Sequence, residues 1–108
     1  MKNGYVYVLT NCRMGRLYIG VTSDLKARIY QHKTGYFKGS HTDKYNEHML
    51  VYFEVCPDME SAIWREKKLK DWHRGWKLRL IIENNPEWKD LSEDVCPGIT
   101  KEMNDLRP

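Results

Sequence analysis

The stretch GYVYVLTNCRMGRLYIGVTSDLKARIYQH, residues 4–32, decides how the chain begins to fold. Tyr5 to Leu9 sets aromatic beside β-branched residues, the composition of a pleated strand, and Asn11 to Gly15 supplies turn residues before a second such run at Leu17 to Val21. The two runs predict a hairpin. Thr22, Ser23 and Asp24 then offer N-cap side chains, while Leu25, Ile29 and the aliphatic stem of Lys33 mark one face of a helix that Gly35 stops. Each strand carries a tyrosine, Tyr7 and Tyr18, and the helix sets Arg28 and His32 four residues apart, on one face and close to its apolar stripe.

Outward from this stretch, residues 35–47 are polar, contain glycine and are rich in lysine and histidine, as befits a surface loop of the length that carries function. A third strand follows at Met49 to Val55. Pro57 and Asp58 open a second helix, in which Met59, Ala62, Ile63 and Leu69 keep the three-and-four spacing of a buried stripe. Glu66 falls on that stripe, where the rhythm asks for a core residue, and a carboxylate does not turn inward without a partner or a task. A further helix reads from Trp76 to Ile82 and ends near the Asn84-Asn85-Pro86 breaker, after which Trp88 and Leu91 are expected to pack back on the body. From Ser92 onward the chain is acidic, holds Pro97-Gly98 and shows no strong periodicity. The expected organisation is one domain over 1–91 and an acidic tail of open order over 92–108.

A chain of 108 residues with 41% apolar content can bury one real core and has no room for a second domain. No stretch approaches the roughly 20 apolar residues that span a bilayer, and the start lacks the charged and apolar blocks of a signal peptide, so a cytoplasmic protein is expected. Cys12, Cys56 and Cys96 are odd in number and widely spaced, which suits reduced thiols better than a disulfide framework or a paired-cysteine zinc site. The net charge of +3 hides a division: residues 1–82 carry 15 Lys and Arg against 8 Asp and Glu, whereas residues 83–108 carry 3 against 7. A basic body favours polyanions through counterion release.

The chemistry-bearing residues are Tyr7, Tyr18, Arg28, His32 and Glu66. An inward guanidinium keeps its proton and needs an anion, which either an internal carboxylate such as Glu66 or a substrate phosphate supplies. A lone inward carboxylate also suits one hard divalent cation, magnesium or manganese, with water completing the shell, and no DxD, HExxH or paired Cys/His set offers another metal site. A phenol with an ordinary pKa of about 10 is ionised on the order of one part in a thousand at neutral pH, a deficit of roughly 4 kcal/mol that a nearby cation must offset before it works as a base.

These residues, in this order, resemble the GIY-YIG nuclease superfamily. Its two strand motifs appear as Tyr5-Val6-Tyr7 and, unaltered, as Tyr18-Ile19-Gly20; its arginine matches Arg28 in DLKARIYQH, its helix histidine His32, and its metal-binding glutamate Glu66 in AIWREKKLK. The likeness runs from about Gly4 to Leu91, and NPEWKDL near its end is similar to the small stand-alone bacterial members. The chain departs from the pattern in three places. YVY replaces GIY, Val21 stands where some members carry lysine, and Asn84 and Asn85 lie later than the asparagine many members have after the glutamate.

The hairpin, the late third strand and the resemblance together imply a small α/β domain, a three-stranded, mainly antiparallel sheet flanked by helices. The resemblance implies a metal-dependent endonuclease acting on DNA phosphodiesters, RNA not being excluded, in a structure- or damage-directed repair or recombination role. It assigns Glu66 to the metal, Arg28 to the phosphate, Tyr7 or Tyr18 to the neighbourhood of the nucleophile and His32 to proton transfer. Lys33, Lys38 and Lys44 are the expected backbone contacts, with the run Arg65, Lys67, Lys68, Lys70 as further candidates, although the exposed face of any amphipathic helix is usually charged. The protein is expected to act as a monomer or homodimer, with a partner protein for targeting if it is to find a particular locus. The alternatives are a nucleic-acid-binding module without turnover, and a structural domain held by an Arg28 to Glu66 ion pair.

Overall fold

The computed structural model describes residues 2–34 and 48–105, apart from the side chains of residues 103 and 104. Strands β1 (Gly4–Thr10), β2 (Leu17–Thr22) and β3 (Met49–Cys56) form one sheet in the order β2-β1-β3, and both ladders are antiparallel. Helices α1 (Leu25–Thr34), α2 (Met59–Asp71), α3 (Arg74–Asn84), α4 (Ser92–Val95) and α5 (Ile99–Asp105) complete the described chain.

β1 is central and covered on both sides, which is why its sequence shows no polar alternation: Val6, Tyr7, Val8, Leu9 and Thr10 are all buried. Alternation still divides its two faces. Val6 and Val8, with Ile19 and Val51, pack against Ala62 and Leu69 of α2 and Ile81 of α3. Tyr7 and Leu9, with Leu50, face Leu25 and Ile29 of α1. Gly4 permits the close seating of α2, since a Cβ there would stand 2.6 Å from both the Ala62 Cβ and the Asp58 carbonyl oxygen.

The helix starts follow their caps. Asp24 Oδ1 accepts from the Ala27 amide at 3.1 Å, and Asp58 Oδ1 from the Ser61 amide at 2.7 Å. On α2 the buried stripe is narrower than expected. Ala62 and Leu69 are buried but Ile63 is 40% exposed, because Glu66 shares the inward line with these two residues and Ile63 lies one helical step of about 100° to the side.

Asn85 ends α3 and braces the following turn against the sheet, donating to the carbonyls of Val51 at 3.0 Å and Lys89 at 2.9 Å while accepting from the Lys89 amide at 3.0 Å. This holds Trp88 at a φ of 55° with its ring buried in the core. Beyond Leu91, where the sequence shows no strong periodicity, the chain is helical and packed: Ser92, Cys96 and Ile99 are buried. The Glu93 carboxylate accepts from the amides of Gly98 and Thr100 at 2.7 and 3.2 Å, and those bonds hold its pKa below the ordinary value. Tyr30 on α1 donates to Glu102 on α5 at 2.9 Å. Among the described residues, no helix is long and apolar enough to cross a membrane.

Candidate active site

The sheet and α1 bring three rings together. Tyr7 and Tyr18, on neighbouring strands, have centroids 6.4 Å apart, and His32 from α1 lies 5.9 Å from the first and 6.1 Å from the second. The Tyr7 hydroxyl is 3.3 Å from His32 Nε2. Two further side chains reach this hydroxyl electrostatically: Arg28 by charge and a side-chain hydrogen bond, and Glu66 by charge.

Gly20 makes the arrangement possible. It pairs with Tyr7 across the β1–β2 ladder, and a Cβ built on it would stand 2.4 Å from the Tyr7 Cζ and 2.5 Å from the hydroxyl. The phenol therefore lies flat across an edge strand that has no side chain there. An interior strand glycine marks a close approach of this kind, and YIG carries that signal in the sequence.

Burial and the neighbouring Tyr18 push the Tyr7 pKa up to about 12, with Arg28 pulling the other way and Glu66 adding to the rise. His32 moves oppositely: burial, then Arg28 and His48, lower it to about 4. At neutral pH the pair is thus a phenol beside a neutral imidazole. The 3.3 Å contact between the Tyr7 hydroxyl and His32 Nε2 runs in the direction that the imidazole tautomer sets.

Glu66 has a side-chain exposure of 15% and an ion pair at 3.3 Å with Lys70, one turn on and 53% exposed. A pair this wet at one end is worth only a few tenths of a kcal/mol and leaves the carboxylate available. No cluster of three or more potential metal-ligating side chains occurs among the described residues. A single carboxylate can nonetheless hold one hard divalent cation that keeps most of its water.

The other sequence candidates separate. Lys33 is engaged by Asp90, whose second oxygen accepts from the Leu50 amide at 3.1 Å and from Ser92, so Lys33 ties α1 to the chain after α3. Arg65 grips Glu54 on β3 through Nε and Nη2 at 3.0 Å each, and Tyr52 donates to the same carboxylate at 2.6 Å. Lys38 and Lys44 lie outside the described residues. Asn84 donates to the Leu80 carbonyl and Asn85 serves the turn described above.

With the ring cluster in place, comparison with known proteins is direct. The model described as the GIY-YIG catalytic domain matches residues 3–79. The chain belongs to the GIY-YIG family. A UPF0213 protein of Syntrophus aciditrophicus is 32% identical over 87 residues, covering 81% of this chain and 98% of the relative. A UPF0213 protein of Staphylococcus haemolyticus is 36% identical over 84 residues, covering 77% and 99%. The solution NMR structure of the UPF0213 protein BH0048 from Bacillus halodurans matches with a TM-score of 0.52 at 28% identity, covering 87% of this chain and 98% of that one. GIY-YIG domains are in general nuclease domains that act on nucleic acid with divalent metal ions. The GIY-YIG motifs map onto the geometry above: Tyr7 closes the first, Tyr18 and Gly20 bound the second, and Tyr5 stands where the first motif has its glycine, half-buried and paired with Thr22 and Val55.

Proposed function

We propose that this protein is a divalent-metal-dependent endonuclease that hydrolyses DNA phosphodiester bonds, using magnesium or manganese, in a structure- or damage-directed repair or recombination role. The observation that carries the reading is the Tyr7 hydroxyl, which lies 3.3 Å from His32 Nε2 and feels the opposite charges of Arg28 and Glu66.

Each residue has a part that its chemistry suits. Glu66 would hold the cation. When bound, a divalent cation supplies Lewis-acid polarisation of the scissile phosphate. Arg28 offers that phosphate charge-assisted hydrogen bonds, which gain most where negative charge builds in the transition state. Tyr7, with Tyr18 beside it, meets the attacking water, and His32 orients the phenol in support of proton transfer. At pH 7 a phenol with a pKa of about 12 lies roughly 7 kcal/mol from its ionised form, so Tyr7 acts in concert with the cationic groups facing it.

That same raised pKa favours a second reading, a nucleic-acid-binding module without turnover. Incubating supercoiled plasmid with the protein in magnesium, in manganese or in a chelator tests the two. The nuclease reading predicts nicked circles with either metal and none in the chelator; intact plasmid under all three conditions, despite binding, contradicts it.

A further inference from the structure

The segment WREKKLKDWHRGWKLR, residues 64–79, joins α2 to α3 and holds seven basic residues against two acidic ones, a balance of +5 in a chain whose total is +3. It also holds three of the four tryptophans. The structure leaves two of these rings largely in water: Trp64 is 62% and Trp76 54% exposed. Trp76 stands edge-on to Trp72 with centroids 5.8 Å apart at 84°, and the His73 ring packs on it at 4.6 Å. Trp72, which follows α2, and Trp76, Arg79, Leu80 and Glu83 of α3 line a hollow.

Cations surround these rings. The Arg65 guanidinium is 5.2 Å from the Trp72 centroid and the Lys68 ammonium 5.1 Å from that of Trp64. The Arg79 side chain is 80% exposed, and its one-turn pair with Glu83, itself 60% exposed, is too solvated to hold it against a phosphate. Arg74 spends its guanidinium on the neutral carbonyls of Met14 and Gly15, so its charge stays uncompensated by those bonds. An apolar protein partner would find these exposed rings broken up by charge, whereas a polyanion that also presents flat π-faces finds both of its needs met. Unpaired nucleic acid is such a polymer, and the bases of an intact duplex are already stacked on one another.

We infer that the α2–α3 corner is a stacking platform for an unpaired stretch of nucleic acid, with a base laid on Trp76 and backbone phosphates on Arg79 and the lysines around it. The inference rests on the reading of the Tyr7 cluster as the place where nucleic acid is cut, and extends it to how the strand is held. Glu66 and Trp72 lie on or at the end of the same helix, six residues or about 9 Å apart along its axis, so a strand held at Glu66 reaches Trp72 and the platform beside it within a few nucleotides.

The test is titration of short oligo(dT), in chelator so that nothing is cut, followed by tryptophan fluorescence and by anisotropy of a labelled strand. It compares the full chain with Trp76→Ala, Trp76→Phe and Arg79→Glu, with thermal unfolding confirming that each variant folds. Wild type should show quenched fluorescence; Trp76→Ala and Arg79→Glu should each weaken binding about tenfold, Trp76→Phe should stay within about threefold, and affinity for a blunt duplex should change less than for oligo(dT). Oligo(dT) affinity indifferent to Trp76→Ala overturns the platform, as does a change confined to self-association measured by sedimentation. Metal-dependent nicking with Trp76-independent oligo(dT) binding is failure of the platform alone. Absence of nicking with Trp76-dependent binding is failure of the cutting reading alone.

Discussion

Gly20 and Tyr7 face each other across two paired strands with no space between them, the phenol ring occupying the volume where any other residue at position 20 would place its Cβ, 2.4 Å from Cζ. The glycine is therefore a condition for the position of the hydroxyl. Gly20→Ala is expected to destabilise the fold by about 1–3 kcal/mol and to displace the ring from His32. Urea unfolding of Gly20→Ala, Tyr7→Ala and the double variant measures this. The double variant should be more stable than the sum of the two single losses predicts, because removing the ring relieves the clash. Strict additivity would mean that the two residues do not compete for the same space.

His32 predicts a pH window. Its pKa in the fold is about 4 against an ordinary 6.5, so between these values the unfolded chain binds a proton that the native site refuses. Stability should be fully expressed above pH 6.5 and fall as pH drops toward 4, by about 3 kcal/mol. Urea midpoints from pH 7 to 4.5 should show the slope in wild type and lose most of it in His32→Gln. The depressed carboxylates, Asp58, Asp90 and Glu93, act lower, their contribution being lost only as pH falls below their ordinary values near 4.

Tyr7 gives the alkaline counterpart. A phenol raised from 10 to about 12 contributes stability that is complete below pH 10 and lost as pH rises through 12. Tyr52, raised by burial and by Glu54, adds to the same loss. Ultraviolet titration of the phenols should show these two groups ionising late, and Tyr7→Phe should remove one of them.

Asp90 and Lys33 form a structural tie. Burial tends to raise the Asp90 pKa, yet Lys33 and Ser92 hold it below the ordinary carboxylate value. Asp90→Ala is expected to cost about 2–3 kcal/mol, since it orphans a lysine, a backbone amide and a serine together, and Lys33→Ala about 1 kcal/mol. The salt dependence of nucleic-acid binding should be the same for Lys33→Ala and wild type. A reduced salt slope in Lys33→Ala would instead make this lysine a phosphate contact.

Much of this was legible in the chain, and the gaps have physical causes. The hairpin, the Asp24 and Asp58 caps and the inward Arg28, His32 and Glu66 follow from local composition and helical spacing, which act within a few residues. The partnership of Lys33 with Asp90 spans 57 residues and depends on where the turn after α3 comes to rest, which no spacing rule reports. Lys33 accordingly reads as a surface cation until the fold supplies its partner. The helices after Leu91 were obscured by their shortness: α4 has four residues and α5 seven, too few to display a period, and their positions depend on Ile99 finding the core and on Glu93 closing the turn at Gly98. Gly20 stands in the YIG motif, but its reason, the ring of Tyr7 lying over it, is a contact between strands.

Arg28 and Glu66 are held to serve a phosphate at the Tyr7 hydroxyl, and plasmid nicking by Arg28→Ala and Glu66→Ala, beside wild type in magnesium and in manganese, separates that role from a structural one. Wild type should nick, and each substitution should lower the rate by at least about a hundredfold, with thermal stability retained. Nicking that survives both substitutions at near wild-type rates would contradict it.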